Sequence, residues 1–199
     1  MNTSELLQQY ENGKRDFIQV NLADAYLSEC CLPEIDLSQS DLANANFSGS
    51  NLLCANLSTT VLTRATLWRS NLNNARLMSA NLAGSNLIRA NMISIDADRA
   101  SLIKADLRLA NLTGANLTQV NLIGADLRYA DLTGVNLAGA DLSRANLTGA
   151  NLSGANLSGA SLTHTIFDNT DISGASLDGV DLSMVDLARA IRDGRLVLK

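Results

Sequence analysis

From Ala105 to Leu162 the chain places a leucine at every fifth residue without a slip: ADLRLANLTGANLTQVNLIGADLRYADLTGVNLAGADLSRANLTGANLSGANLSGASL. Extended in both directions, this register puts an apolar centre at Phe17, Leu22, Leu27 and onward to Leu187, 35 units with no residue inserted or lost. A period of five fits neither regular element. At about 100° per residue, five helical steps leave an offset of about 140°, which scatters the leucines around every face. In a straight strand an odd period sends successive leucines to opposite sides of the sheet. A chain that turns a corner after each unit returns every leucine to the same interior. The pattern therefore predicts a solenoid wound around its own side chains, with Phe17, Leu22, Phe47, Leu67, Leu87, Leu107, Leu127, Leu147 and Phe167 among the core centres.

Two residues before each centre stands a small residue, such as Ala25, Ala45 or Ala105, and a spacing of two turns it inward as well. The residue between them is mostly Asn or Asp (Asn46, Asn81, Asp106, Asp126, Asn151) and points outward, where its side chain can bond to neighbouring backbone in a turn. The two residues after the centre form the corner. Of 13 glycines, 11 occupy the second corner position, from Gly49 to Gly179. Arg69, Lys104 and Tyr129 share that slot, so a positive φ is not expected to be obligatory there.

This A(D/N)Lxx pattern resembles the pentapeptide repeat family over about residues 15–190. The resemblance implies an all-β solenoid, a right-handed quadrilateral β-helix in which four units make one coil. Thirty-five units then give nearly nine coils and, at roughly 4.8 Å per coil, a rod on the order of 40 Å long. The opening, a short helix before a phenylalanine-centred first unit, is similar to that of cyanobacterial members.

The chain accordingly divides into an N-terminal helical cap over 1–14, the repeat over 15–190 and a turn and tail over 191–199. In the cap, Thr3 or Ser4 is the expected N-cap, Leu6, Leu7 and Tyr10 share a face, and Asn12-Gly13 stops the helix. Val20, Cys30 and Ile35 enlarge the small inward site beside the cap, and Pro33, the only proline, stands at a corner. At Ile95 and Ala97 the large and small residues exchange places, which predicts repacking within one wall, with a kink as the other reading. Asp193-Gly194 reads as a turn. Leu196, Val197 and Leu198 form an apolar tail that either covers the last coil or serves a homodimer contact at the C-terminal end.

Composition narrows the function. A net charge of −5 with 15 basic residues supports neither broad nucleic-acid binding nor an acidic tail. No apolar run reaches 18 residues and no basic start precedes a hydrophobic stretch, so neither a membrane span nor a secretory signal is expected. Cys30, Cys31 and Cys54 make no disulfide framework or metal set, which fits a cytoplasmic protein. The only histidine, His164, occupies a corner without partners at metal-ligand spacing. The reading is of no enzyme, no cofactor and no metal.

If four units make a coil, residues 20 apart stack. One wall then carries Trp68-Arg69, Ile88-Arg89, Arg108-Leu109 and Arg128-Tyr129 on successive coils, with Arg64 and Lys104 on the neighbouring wall. Trp, Tyr and Arg are the types that anchor protein interfaces. The leading expectation is a non-catalytic interaction or scaffold protein whose rigid surface binds a protein partner. The resemblance implies an alternative partner, DNA gyrase, because fluoroquinolone-resistance members of the family mimic B-DNA and bind it. Those are end-to-end dimers with strongly acidic faces, whereas the outward Asp106, Asp126, Asp131 and Asp141 here are mixed with Asn and opposed by arginines.

Overall fold

The backbone hydrogen bonds of one unit explain the whole coil. In Asp41–Ala45, Asp41 N–H donates to Val20 O (3.0 Å) on the coil before, and Leu42 and Asn44 donate to Val61 O (2.8 Å) and Thr63 O (2.9 Å) on the coil after. Ala45 N–H closes the turn on Leu42 O (3.0 Å). The one donor left, Ala43 N–H, is taken by the Asp41 carboxylate (3.1 Å). Every donor is thus satisfied, and the fifth only by a side chain. That is why Asn or Asp recurs at the outward position. It also explains Pro33, which stands at the one site whose N–H the ladder does not use, after an outward residue, Cys31, that is not Asn or Asp.

The computed structural model describes residues 1–192 and 195–196. Parallel bridges join residues 20 apart, from Asp16 with Asp36 to Asp171 with Ile191, so four turns bring the chain back to the same wall. The result is a four-sided β-helix. Its ladders consist of single-residue bridges, so the only named strands among the described residues are β1 (Ile191–Arg192) and β2 (Arg195–Leu196), paired antiparallel with Ile191 opposite Leu196. The leucine centres and the small residues two before them fill the interior. Phe17, Leu22, Phe47, Leu67, Leu87, Leu107, Leu127, Leu147 and Phe167 are all buried. Where Ser or Thr takes the small site, its hydroxyl can donate to a centre's carbonyl one coil back, as Thr165 does to Leu142 O (2.8 Å) and Thr170 to Leu147 O (2.7 Å).

The corners overturn one expectation. Every second corner residue from Gln19 to Gly179 has positive φ, including Arg69 (54°), Lys104 (54°) and Tyr129 (60°). The turn bond from the small residue back to the centre, with positive φ at the third turn residue, is the type II pattern, which demands this conformation whatever the side chain. A non-glycine residue there costs about 1–2 kcal/mol. Its own N–H and that of the centre are locked to the next coil, and the turn bond closes around it, which holds it in place.

The ends differ from the middle. Helix α1 (Thr3–Glu11) is capped by Asn2, whose Oδ1 accepts from Glu5 N–H (2.8 Å), rather than by Thr3 or Ser4, because Asn2 is the residue with extended backbone before the first turn. Leu6 and Tyr10 are buried on the first coil, and Tyr10 Oη donates to Pro33 O (2.8 Å). The Ile95–Ala97 exchange is absorbed without a kink: both residues are buried, and the bridges from Arg76 through Asp96 to Asn116 continue unbroken. One local change accompanies it, since Ile93 N–H donates to Asn73 on the coil below (3.2 Å) and Asn91 Oδ1 has no hydrogen-bond partner among the described residues.

The C-terminal coil is the loosest. Asp181 stands outside the ladder, His164 N–H reaches Met184 O at 3.3 Å, one residue beyond the usual register, and the centre Leu182 is 41% exposed. Ile191 rejoins the ladder through Thr170 O and Ile172 N–H (2.8 and 2.9 Å). The expected Asp193-Gly194 turn, and Val197 and Leu198 of the expected tail, lie outside the described residues.

Candidate functional site

Stacking at 20-residue intervals brings seven of the ten expected surface residues into one groove of about 390 Å³, lined by Trp68, Ile88, Arg89, Arg108, Leu109, Arg128 and Tyr129. Each sits at the first or second corner position of its unit. Corner side chains must point outward, because the turn bond and the ladder consume the backbone around them. Arg69 lies beside the groove with its guanidinium over the Trp68 ring (5.1 Å). Arg64 and Lys104 occupy the adjacent corner and do not line it.

Two residues whose role the sequence reading missed organise the floor. Arg108 and Arg128 each form a two-pronged pair with the outward aspartate two residues earlier. Arg108 Nε and Nη2 donate to Asp106 at 2.8 and 2.7 Å, and Arg128 Nε and Nη2 to Asp126 at 2.8 and 2.7 Å. Arg108 Nε also lies 3.7 Å from Asp126, which links the two coils. Parallel N–H···O pairs of this kind fix a guanidinium in orientation as well as position. Both heads are therefore held against the wall. The signal was legible as the repeated Asp-Leu-Arg of 106–108 and 126–128, since residues two apart share a side of an extended wall.

Gly149 shapes the groove's upper end. A Cβ at that position would stand 2.6 Å from the Tyr129 ring, so Tyr129 lies flat across the next coil only because glycine is there. Trp68, Leu109 and Tyr129 remain 38%, 47% and 62% exposed, an apolar and aromatic surface standing on a fixed backbone.

The ion pairs leave a mark on proton affinity. Partial burial pushes the Asp126 carboxyl up, but the bonds from Arg128 and the charges of Arg128 and Arg108 outweigh this and hold it below the ordinary aspartate range. Asp126 thus gives up its proton more readily folded than unfolded. It stabilises the fold above about pH 4, its unfolded value, and that contribution disappears as the pH falls through the lowered folded value. In an acid titration of the thermal midpoint, the wild type should fall more steeply below about pH 4 than Asp126→Asn, which keeps the turn bond and removes the charge. Identical slopes would show that the pair contributes nothing to folding.

A second cleft, about 450 Å³, lies between α1 and the first coils and is lined by Leu7, Tyr10, Glu11, Arg15, Cys30 and Cys31. Burial pushes the Cys30 thiol up, which keeps it protonated and unreactive. Among the described residues no three of His, Cys, Asp and Glu are placed to hold a metal ion, and no helix is long and apolar enough to cross a membrane.

The profile of the family described as Pentapeptide repeats matches the chain in segments covering 21–52, 40–77, 75–114, 115–154 and 155–191. The chain belongs to the pentapeptide repeat family. Among solved members, a trypsin-treated point variant of QnrB1, a plasmid-mediated fluoroquinolone resistance protein, superposes with a TM-score of 0.81 at 19% identity over 89% of this chain and 91% of that one. HetL, a pentapeptide repeat protein involved in heterocyst differentiation regulation from the cyanobacterium Nostoc sp. strain PCC 7120, is 32% identical over 99% of this chain and 100% of its own, with a TM-score of 0.43. A second Nostoc pentapeptide repeat protein, alr5209, is 25% identical over 78% and 80% of the two chains, with a TM-score of 0.25. No curated protein matches the chain. Membership and the QnrB1 likeness imply the right-handed sense of the β-helix.

Proposed function

We propose that the protein is a non-catalytic docking rod that binds a protein partner through the groove from Trp68 to Tyr129. The observation that carries this reading is the groove itself. Exposed aromatic and aliphatic side chains converge there on arginines fixed in two-pronged pairs, above a backbone laddered to the coils on either side. Rigid anchors of this kind lose little conformational freedom on binding, which leaves more of the contact free energy to appear as affinity.

Affinity capture from a native lysate, with wild type beside a Trp68→Ala, Arg108→Ala, Tyr129→Ala variant, tests the site. All three side chains point outward, so the variant should fold, with circular dichroism as the check. The expected result is a protein retained by the wild type and absent from the variant. Capture of the same proteins by both would remove the groove from consideration.

The charge distribution favours this partner over DNA gyrase. Between residues 61 and 144 the chain carries nine Arg and Lys against six Asp, the reverse of a duplex-like surface, and the likeness to QnrB1 supports the fold alone.

A further inference from the structure

The groove's neighbouring corner says more about what docks there, on the reading that the groove is a docking site. Along that corner, successive coils carry Arg64, Gly84, Lys104, Gly124 and Arg144. None of the three cations forms an ion pair among the described residues, in contrast to Arg108 and Arg128 one wall away. The alternation with glycine has a physical use. The Arg64 and Lys104 stems lie 3.7 and 3.6 Å from where a Cβ at Gly84 and Gly124 would be, so each long side chain rests across a bare corner. Between Asp41 and Asp96 the chain contains no acidic residue at all. The row is therefore an unneutralised line of positive charge, one cation every second coil, or roughly 9.6 Å at the usual strand spacing.

An α-helix returns to the same face every seven residues, about 10.5 Å along its axis. A partner helix lying along the rod, with a carboxylate at every seventh residue, would meet Arg64, Lys104 and Arg144 in turn with a mismatch of about 1 Å per step. The wall between this corner and the groove holds about three extended residues, roughly 10 Å, which is the thickness of one helix. Across that width the partner's adjoining stripe would fall on Trp68, Ile88, Leu109 and Tyr129, which requires it to be apolar. A nucleic-acid strand fits less well. It is charged along its whole length, so it would bring phosphates over Asp106 and Asp126 at mid-wall, and it has no aliphatic stripe for Ile88 and Leu109.

We propose that this wall binds an acidic amphipathic α-helix of a partner protein, with its carboxylate stripe on the Arg64–Lys104–Arg144 line and its apolar stripe in the groove. Trp68 is the only tryptophan and lies in the groove, so its emission reports occupancy directly. The probe is a tryptophan-free helical peptide of about 21 residues, six turns, with Glu at three positions seven apart and Leu and Phe along the adjoining stripe. It is compared with the same peptide carrying Gln for Glu and with a single-stranded oligodeoxythymidine of about 20 nucleotides, long enough to span the row.

The acidic peptide should shift Trp68 emission saturably. Binding should weaken about tenfold for the Gln peptide, and by a similar factor for the Arg64→Ala, Lys104→Ala, Arg144→Ala protein, with steep dependence on salt. Arg76→Ala, Arg99→Ala, which lie on other walls, should bind as the wild type does. Equal binding of the Glu and Gln peptides would refute the acidic helix while leaving the docking groove standing, because the lysate capture tests that separately. No shift with the acidic peptide, or a stronger response to the oligonucleotide, would also overturn the proposal.

Discussion

Replacing Leu107 by alanine is expected to remove about 2–5 kcal/mol of stability, a large share of the roughly 5–15 kcal/mol by which folded domains are stable. Leu107 is fully buried between Leu87 and Leu127, its counterparts one coil below and above. A globular core can relax partly around a missing side chain. Here each wall is tied to both neighbours by backbone bonds, Leu107 N–H to Asp126 O at 2.7 Å and Asp106 N–H to Ser85 O at 2.9 Å, so the walls cannot move inward to close the void. The cost should fall near the upper end of the range. The same change at Leu182, 41% exposed in the frayed last coil, should cost under about 1 kcal/mol. Urea unfolding of the two variants measures both values, and equal losses would show that the coils are not packed as described.

That contrast bears on how much of the molecule could be read in advance. The register, the inward centres and the stacking of residues 20 apart all follow from side-chain volume, which repeats in the sequence as plainly as in the fold. Phe17, Phe47 and Phe167 fall at centres for that reason. Positive φ at every corner could not be read the same way, because Arg69, Lys104 and Tyr129 disguise it. The turn bond and the ladder impose the conformation on whichever residue stands there, and the sequence displays side chains rather than backbone demands. The N-cap was missed by one residue because Asn2, Thr3 and Ser4 are all good caps, and the chain's path into the first coil chooses among them.

The candidate site was legible in outline. Stacking alone placed Trp68, Ile88, Arg108 and Tyr129 together. It could not show that Arg108 and Arg128 are already engaged by Asp106 and Asp126, nor that Arg64 and Lys104, grouped with them by proximity, form no ion pair among the described residues and continue into Arg144. Those distinctions depend on where long side chains lie, which the period of five leaves open. Gly149 was visible only as one corner glycine among many until the Tyr129 ring was found resting on it.

Because every coil is four units, adding one unit should rotate all that follows by one wall while leaving each hydrogen bond a partner. Inserting Ala-Asn-Leu-Thr-Gly, the chain's own 110–114, between Arg99 and Ala100 carries Arg108, Leu109, Arg128 and Tyr129 to the next corner, away from Trp68, Ile88 and Arg89. The same five residues inserted between Thr59 and Thr60 rotate only the first coils and leave the groove whole. Composition, length and charge are identical in the two variants, and both should fold with spectra like the wild type's, since repeat arrays are held by nearest-neighbour contacts. The measurement is lysate capture with both. A partner kept by the upstream insertion and lost with the insertion at 99–100 is the result expected of a groove assembled from stacked coils. Retention of that partner by the split-groove variant would contradict it.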